Sequence, residues 1–250
     1  MKFSISNLDV FYGSNQALYD VALDIPPNQV TALIGPSGCG KSTLLSMIAG
    51  LNEISKGAIV LNNKQILGPG PDRGVVFQAP SLFPWMTTLE NVMLGVKQVF
   101  PHGTKKQKID IAKYYLAKVG LEDAFDKKAS DLSQGMQQRV GIARAFALKP
   151  KILLLDEPFG MLDSLTKNDL QQVLVDVWRE EGITAIMVTH DVDEAIFLAD
   201  RVVMMTSGPY AKIGKEQQIQ FTRPRNKVKV MEDPNYYVER EGLIDFLNEE

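Results

Sequence analysis

Nine consecutive residues, Gly35-Pro36-Ser37-Gly38-Cys39-Gly40-Lys41-Ser42-Thr43, fit the pattern G-x-x-x-x-G-K-[ST]. A loop of this make-up turns several backbone N–H groups toward phosphate oxygens, and a helix starting near Lys41 adds the positive end of its dipole. Lys41 is then expected to reach the β- and γ-phosphates, and the Ser42 hydroxyl to ligate Mg²⁺. A second pair, Asp156-Glu157, closes the apolar run Ile152-Leu153-Leu154-Leu155. A carboxylate at the end of such a strand can hold Mg²⁺ directly or through water. Glu157 is then placed to polarise an attacking water. The chemistry these residues could do is the binding and hydrolysis of a nucleoside triphosphate. The phosphate loop alone leaves kinases, GTPases, helicases and transporters all open.

These groups need elements to hold them. Val30-Thr31-Ala32-Leu33-Ile34 is a short unbroken apolar run, as in a strand buried on both faces. Ser42 to Ala49 reads as a helix closed by Gly50. Before them, Phe3 and Ile5, Leu8 and Val10, and Val21, Leu23 and Ile25 alternate at period two, with turn residues between. Ala58–Leu61 and Gly74–Phe77 predict two more strands. From about 79 to 147 the character is helical, with Ile109, Ala112, Leu116 and Val119 on one apolar stripe. Lys105, Lys106, Lys108, Lys113 and Lys118 decorate that region as a solvated face, with contact to acidic lipid or a partner as the alternative. Beyond it, Lys151–Leu155, Ile183–Val188 and Val202–Met205 read as strands, with a helix around Leu170, Val173, Leu174, Val177 and Trp178. Strands alternating with helices predict an α/β fold with a mostly parallel sheet. From Arg223 the chain reads as less regular, first basic, then acidic and aromatic.

Composition sets the bounds. The 250 residues carry 27 Lys and Arg against 30 Asp and Glu, a formal net charge of −3. That balance argues against a sequence-independent nucleic-acid binder. At 45% hydrophobic residues the chain can build a core without staples. A single cysteine, Cys39, excludes an intrachain disulfide framework and a multi-thiolate zinc site. Two histidines, His102 and His190, do not make a His-rich metal centre, and His102 has no motif around it. No apolar run has the length of a membrane-spanning helix, and the first residues lack the long apolar core of a signal peptide.

The remaining motifs narrow the choice. Leu132-Ser133-Gln134-Gly135-Met136, followed by Gln137-Gln138-Arg139, resembles the signature motif of the ATP-binding-cassette (ABC) ATPases. The order of motifs matches that family as well. The phosphate loop comes first, then Gln78 as the Q-loop, the signature, Asp156-Glu157, Leu162-Asp163 as the D-loop and His190 as the switch histidine. Tyr12 matches the aromatic residue that stacks on adenine. The resemblance covers nearly the whole chain and implies a P-loop ABC ATPase fold over residues 1–250. In it, an N-terminal antiparallel β-subdomain and a helical subdomain at about 79–147 accompany the mostly parallel core sheet, with a tail at about 223–250. It further implies ATP and Mg²⁺ as cofactors, with Ser42, Gln78 and Asp156 as metal ligands. Glu157 would activate water, with His190 and Gln78 orienting it. Ser133–Gly135 would contact the ATP held by the opposite subunit. Gln134 departs from the family, replacing the first of two glycines usual in the signature. It must fit without glycine's freedom, which bears on ATPase rate and coupling.

Several segments are similar to importers of the nitrate, sulfonate and bicarbonate group. These are Ser81-Leu82-Phe83-Pro84-Trp85, Asp156-Glu157-Pro158-Phe159-Gly160 and Thr189-His190-Asp191-Val192-Asp193-Glu194-Ala195. Arg223-Pro224-Arg225 and Asp233-Pro234-Asn235-Tyr236-Tyr237 look nearest to nitrate and bicarbonate ATPase subunits. The resemblance thus implies a subunit that hydrolyses ATP to power import of a small inorganic anion. A sulfonate such as taurine is the alternative cargo, and a non-transport ABC ATPase the remote one. Implied partners are a second ATP-binding subunit (a like chain or a paralogue), transmembrane permease subunits and a separate solute-binding protein, with no nucleic acid. The implied location is peripheral, on the cytoplasmic face of the inner membrane. Exposed aromatics at Phe83 and Trp85 suit either that permease interface or packing within the helical subdomain.

Overall fold

A computed structural model describes residues 2–250. In chain order the first part holds β1 (Phe3–Tyr12), β2 (Asn15–Ile25), β3 (Val30–Ile34), α1 (Lys41–Ala49), β4 (Lys56–Leu61) and β5 (Lys64–Gln65). The middle holds β6 (Arg73–Val76), α2 (Thr88–Val99), α3 (Lys105–Lys118), α4 (Gln134–Ala147), β7 (Ile152–Asp156) and α5 (Ser164–Glu181). The last part holds β8 (Thr184–Val188), α6 (Val192–Leu198), β9 (Arg201–Met205), β10 (Ile213–Gln218), α7 (Lys227–Glu232) and α8 (Pro234–Glu249). Two compact units result: the first and last parts together make one, and residues 70–183 make the other.

In the first unit, β1 pairs antiparallel with β2, from Phe3 opposite Ile25 to Tyr12 opposite Asn15. Register shifts along this pair break the strict alternation, so Leu8, Asp9 and Val10 are buried in succession. Asp9 Oδ1 accepts from Asp20 N at 2.8 Å, which ties the irregular stretches of the two strands together. β4 pairs with β1 on its other side, and β5 follows through a tight turn. Asn62 and Asn63 sit there at φ 50° and 62°, the left-handed pair that a two-residue hairpin loop demands.

The same unit contains β3 flanked by β8 and β9, both parallel to it, with β10 antiparallel on β9. All five residues of β3, β8 and β9 are buried, as their continuous apolar runs predict. β10 escapes a hydrophobic reading because its sequence, IGKEQQ, is an edge strand with polar side chains facing out. The C-terminal segment is also more regular than its sequence suggests. Asn226 caps α7 through Lys229 N, and Asp233 caps α8 through Asn235 N with Pro234 in the first turn.

In the second unit, β6 and β7 run parallel, with Val76 opposite Leu155. Thr87 with Glu90 and Thr104 with Gln107 form capping boxes that start α2 and α3. The helical stretch therefore begins at Thr88; residues 79–87 form a loop, held where Asn91 Oδ1 accepts from Phe83 N at 2.9 Å. Ala112, Leu116 and Val119 are buried as the stripe predicts, joined by Tyr115, whereas Ile109 is half-buried. Lys105, Lys106 and Lys113 are exposed; Lys118 pairs with Glu180. No helix is long and apolar enough to cross a membrane among the described residues.

Candidate nucleotide-hydrolysis site

β3 delivers the chain to the phosphate loop, and α1 begins at Lys41. Gly40 is the N-cap at φ 93°, a left-handed conformation that a side chain would strain. A Cβ there would also meet Leu18 Cδ2 at 2.7 Å. No side chain among the described residues caps α1, so its first-turn N–H groups suit an external anion. The Lys41 ammonium folds back along the loop, donating to the carbonyls of Gly35 at 2.8 Å and Pro36 at 2.9 Å. Cys39 Sγ stands 3.6 Å away, and the Cys39 side chain is buried. Cys39 thus packs the underside of the loop, while Ser37, Gly38 and Ser42 are exposed and Pro36 and Thr43 are half-buried. Tyr12, at the end of β1, is half exposed.

His190 leaves the same sheet at the same edge. Leu33 lies opposite Val188, and Thr189 N donates to Leu33 O at 3.2 Å. The phosphate loop and His190 therefore both emerge from the carboxyl ends of neighbouring parallel strands, where α/β sheets bind ligands. His190 itself is exposed between two anchored neighbours. Thr189 Oγ1 donates to Glu194 Oε2 at 2.6 Å, and Asp191 Oδ1 caps α6 by accepting from Asp193 N and Glu194 N.

The second unit assembles the other residues. Because β6 and β7 end level, Gln78 and Glu157 project from matching positions two residues past Val76 and Leu155. Gln78 Nε2 donates to Glu157 Oε2 at 3.3 Å. Glu157 has φ 43°, a strained conformation for a non-glycine residue of the kind found at functional sites. Asp156, half-buried, is the last residue of β7.

A residue to which sequence reasoning gave no role holds this pair. Gln138 is buried on α4, and its Nε2 donates to Phe77 O at 3.0 Å and to Pro158 O at 2.9 Å. It thereby ties the backbone before Gln78 to the backbone after Glu157. Its place one turn beyond Gly135 on the signature helix was the available signal.

The signature residues open α4. Leu132 is buried and Met136 half-buried. Ser133 is the N-cap, its hydroxyl accepting from Met136 N at 3.3 Å. Gln134 is the first helical residue, exposed and right-handed, so the missing glycine imposes no backbone strain at that position. Gly135 is the constrained one: a Cβ there would overlap Thr166 Cγ2 of α5. Thr166 follows Asp163, which caps α5 by accepting from Leu165 N and Thr166 N at 3.1 Å each. Hydrogen bonds from the Thr166 side chain and backbone hold the Asp163 carboxyl below its ordinary pKa.

The metal ligands expected from sequence are all hard oxygen donors: the Ser42 hydroxyl, the Gln78 amide and the Asp156 carboxylate. No cluster of three or more His, Cys, Asp or Glu among the described residues could hold a metal by itself. Each is a donor type that suits Mg²⁺, which completes its shell with phosphate oxygens and water.

A phosphate loop between a buried parallel strand and a helix is the mark of a nucleoside-triphosphate-binding protein. Residues 18–160 match the family described as ABC transporter. The chain is 48% identical over 248 residues to the bicarbonate transport ATP-binding protein CmpD of Synechocystis sp., covering 98% of this chain and 88% of that one. It is 47% identical over 235 residues to the nitrate import ATP-binding protein NrtD of Synechococcus elongatus, covering 94% and 86%. Among solved structures, the dimeric post-hydrolysis state of the ATP-binding cassette MJ0796 bound to ADP and Pi superposes with a TM-score of 0.76 at 31% identity, covering 88% of this chain and 100% of that one. The structure of cbiO1 from Clostridium perfringens, part of the ABC transporter complex cbiONQ, gives 0.78 at 28% identity, covering 96% and 94%. The chain belongs to the ABC transporter family and is an ATPase of that family.

Proposed function

We propose that this chain is the ATP-hydrolysing subunit of an importer for a small inorganic anion, bicarbonate or nitrate. The Gln78–Glu157 pair, clamped by Gln138, carries the hydrolytic part of the reading. The relatives named for bicarbonate and nitrate transport support the cargo. Tyr12 stacks on adenine, and the N–H groups of Gly35–Thr43 cradle the phosphates. Lys41 exchanges its loop carbonyls for β- and γ-phosphate oxygens, an anionic acceptor outbidding two neutral ones. Ser42, Asp156 and Gln78 would hold Mg²⁺, and the ion would supply positive charge against the phosphates. Glu157 takes the proton from the attacking water, and His190 donates a hydrogen bond to the γ-phosphate.

Two such subunits, like chains or paralogues, enclose each ATP between the phosphate loop of one and Ser133–Gly135 of the other. Asp163 lines that junction. Closing and reopening drive membrane permease subunits on the cytoplasmic face of the inner membrane, fed by a separate solute-binding protein. Phe83 and Trp85, exposed with their rings 5.3 Å apart, offer the permease an aromatic contact.

Glu157→Gln tests the chemistry. It should retain ATP binding, lose nearly all turnover and trap a dimer in ATP; unchanged turnover in the purified protein overturns the assignment. Uptake of labelled bicarbonate, nitrate and taurine by a strain lacking the gene tests the cargo. Loss of taurine uptake alone refutes the inorganic anion.

A further inference from the structure

The C-terminal segment grips α6 at both ends. At the first end, Asp193 Oδ1 accepts from the Tyr236 hydroxyl at 2.7 Å and from Arg240 Nε at 2.9 Å. Tyr236 is buried on α8. At the other end, Arg225 Nη1 donates to the carbonyls of Ile196 at 2.9 Å, Phe197 at 3.1 Å and Ala199 at 2.6 Å. A helix's last turn leaves such acceptors without intrahelical donors. Arg223 Nε binds Asp200 Oδ1 at 2.7 Å, and Asp200 Oδ2 accepts from Val30 N at 2.8 Å, at the start of the strand that leads to the phosphate loop.

α6 spans only seven residues. A helix so short is not stable by itself and takes its position from what surrounds it. Its first turn is continuous with the His190 backbone. Asp193 N donates to Asp191 Oδ1 at 2.9 Å, and Asp191 N donates to Thr189 Oγ1 at 3.0 Å. Both neighbours of His190 are thus fixed to α6, and α6 is fixed to α8 through Asp193.

We infer that Tyr236 is a positioning residue for His190: α8, acting through Asp193 and the first turn of α6, sets where the imidazole stands during ATP hydrolysis. This rests on the role given to His190 above. Arg240 shares the acceptor, but its side chain is 42% exposed, so water competes there. The buried tyrosine is the firmer link.

The chain has two histidines, so protein labelled with isotopic histidine gives two imidazole resonances, and His102→Gln assigns them. In full-length Tyr236→Phe the His190 resonance should shift or broaden while that of His102 stays in place. The kcat for ATP hydrolysis should fall on the order of tenfold, as when a reacting group is displaced. The KM for ATP should hold, because the phosphate loop and Tyr12 are untouched. Should Tyr236→Phe prove insoluble, Arg240→Gln weakens the same acceptor from the surface and is read in the same way. An unmoved His190 resonance, or kcat equal to wild type, overturns the link while leaving His190 itself catalytic. Wild-type turnover in His190→Ala removes the catalytic role, and the inference falls with it.

Discussion

Gly135→Ala sets two physical effects against each other, and the structure decides the sign. Alanine in place of glycine inside a helix ordinarily stabilises it by up to about 1 kcal/mol. Here the added methyl would overlap Thr166 Cγ2, while Thr166 Cβ, at 3.8 Å, stays at ordinary contact distance. The conflict is therefore with one methyl group, on a β-branched residue whose rotamer is restricted in a helix. Overpacking of that kind costs about 1–3 kcal/mol. With so close an overlap the upper figure applies, leaving a net loss of about 2 kcal/mol after the propensity gain. For a chain of this size that lowers the melting temperature by about 4–8 °C. Both tryptophans, Trp85 and Trp178, lie in the unit that contains the contact, so their fluorescence in a urea titration reports its unfolding. Thr166→Ser removes the offending methyl and keeps the hydroxyl that bonds Asp163. In that background Gly135→Ala should become neutral or stabilising. If Gly135→Ala stabilises the wild-type protein, or if Thr166→Ser leaves its effect unchanged, the steric reasoning is refuted.

Three further outcomes are expected. Gln138→Leu keeps the volume of the side chain but deprives the Phe77 and Pro158 carbonyls of their donor, costing about 1–3 kcal/mol in a urea titration. Because the Gln78–Glu157 pair loses its clamp, single-turnover hydrolysis should slow more than ATP binding weakens. Ser133→Ala removes the cap of α4 and costs about 1 kcal/mol, whereas Ser133→Arg should abolish ATP-driven dimerisation by light scattering. Burial, aided by the Asp193 carboxylate, pushes the Tyr236 phenol up to about 12. A folded-state pKa above the ordinary value of about 10 gives stability that is present below about pH 10 and lost as pH rises toward 12. The difference in urea midpoint between wild type and Tyr236→Phe should therefore hold up to pH 10 and close above it.

The strands that carry the chemistry were legible in the sequence because burial on both faces leaves no alternative to a continuous apolar run. Val30–Ile34, Ile152–Asp156 and Thr184–Val188 all follow from that rule. β10 and β5 were not, since edge strands and short hairpins are held by backbone pairing that leaves polar side chains in place. The ordered motifs from Gly35 to His190 resemble those of the ABC transporter family, to which the chain belongs.

Sequence could not say which glycine of the signature matters. Gln134 replaces one without strain at the first helical position, while Gly135 is constrained because Thr166, 31 positions away, comes to rest against it. Gln138 likewise has a role only because β6 and β7 end level, so that one amide reaches both loops. The C-terminal motifs resembled those of relatives without showing what they touch; packing on α6 gives Arg225 and Tyr236 their partners. The sequence by itself thus determined the family and named candidate reacting groups, because motifs depend on residue type and local spacing. What holds those groups still was decided by tertiary structure, because a contact between residues far apart in the chain leaves no mark on either one alone.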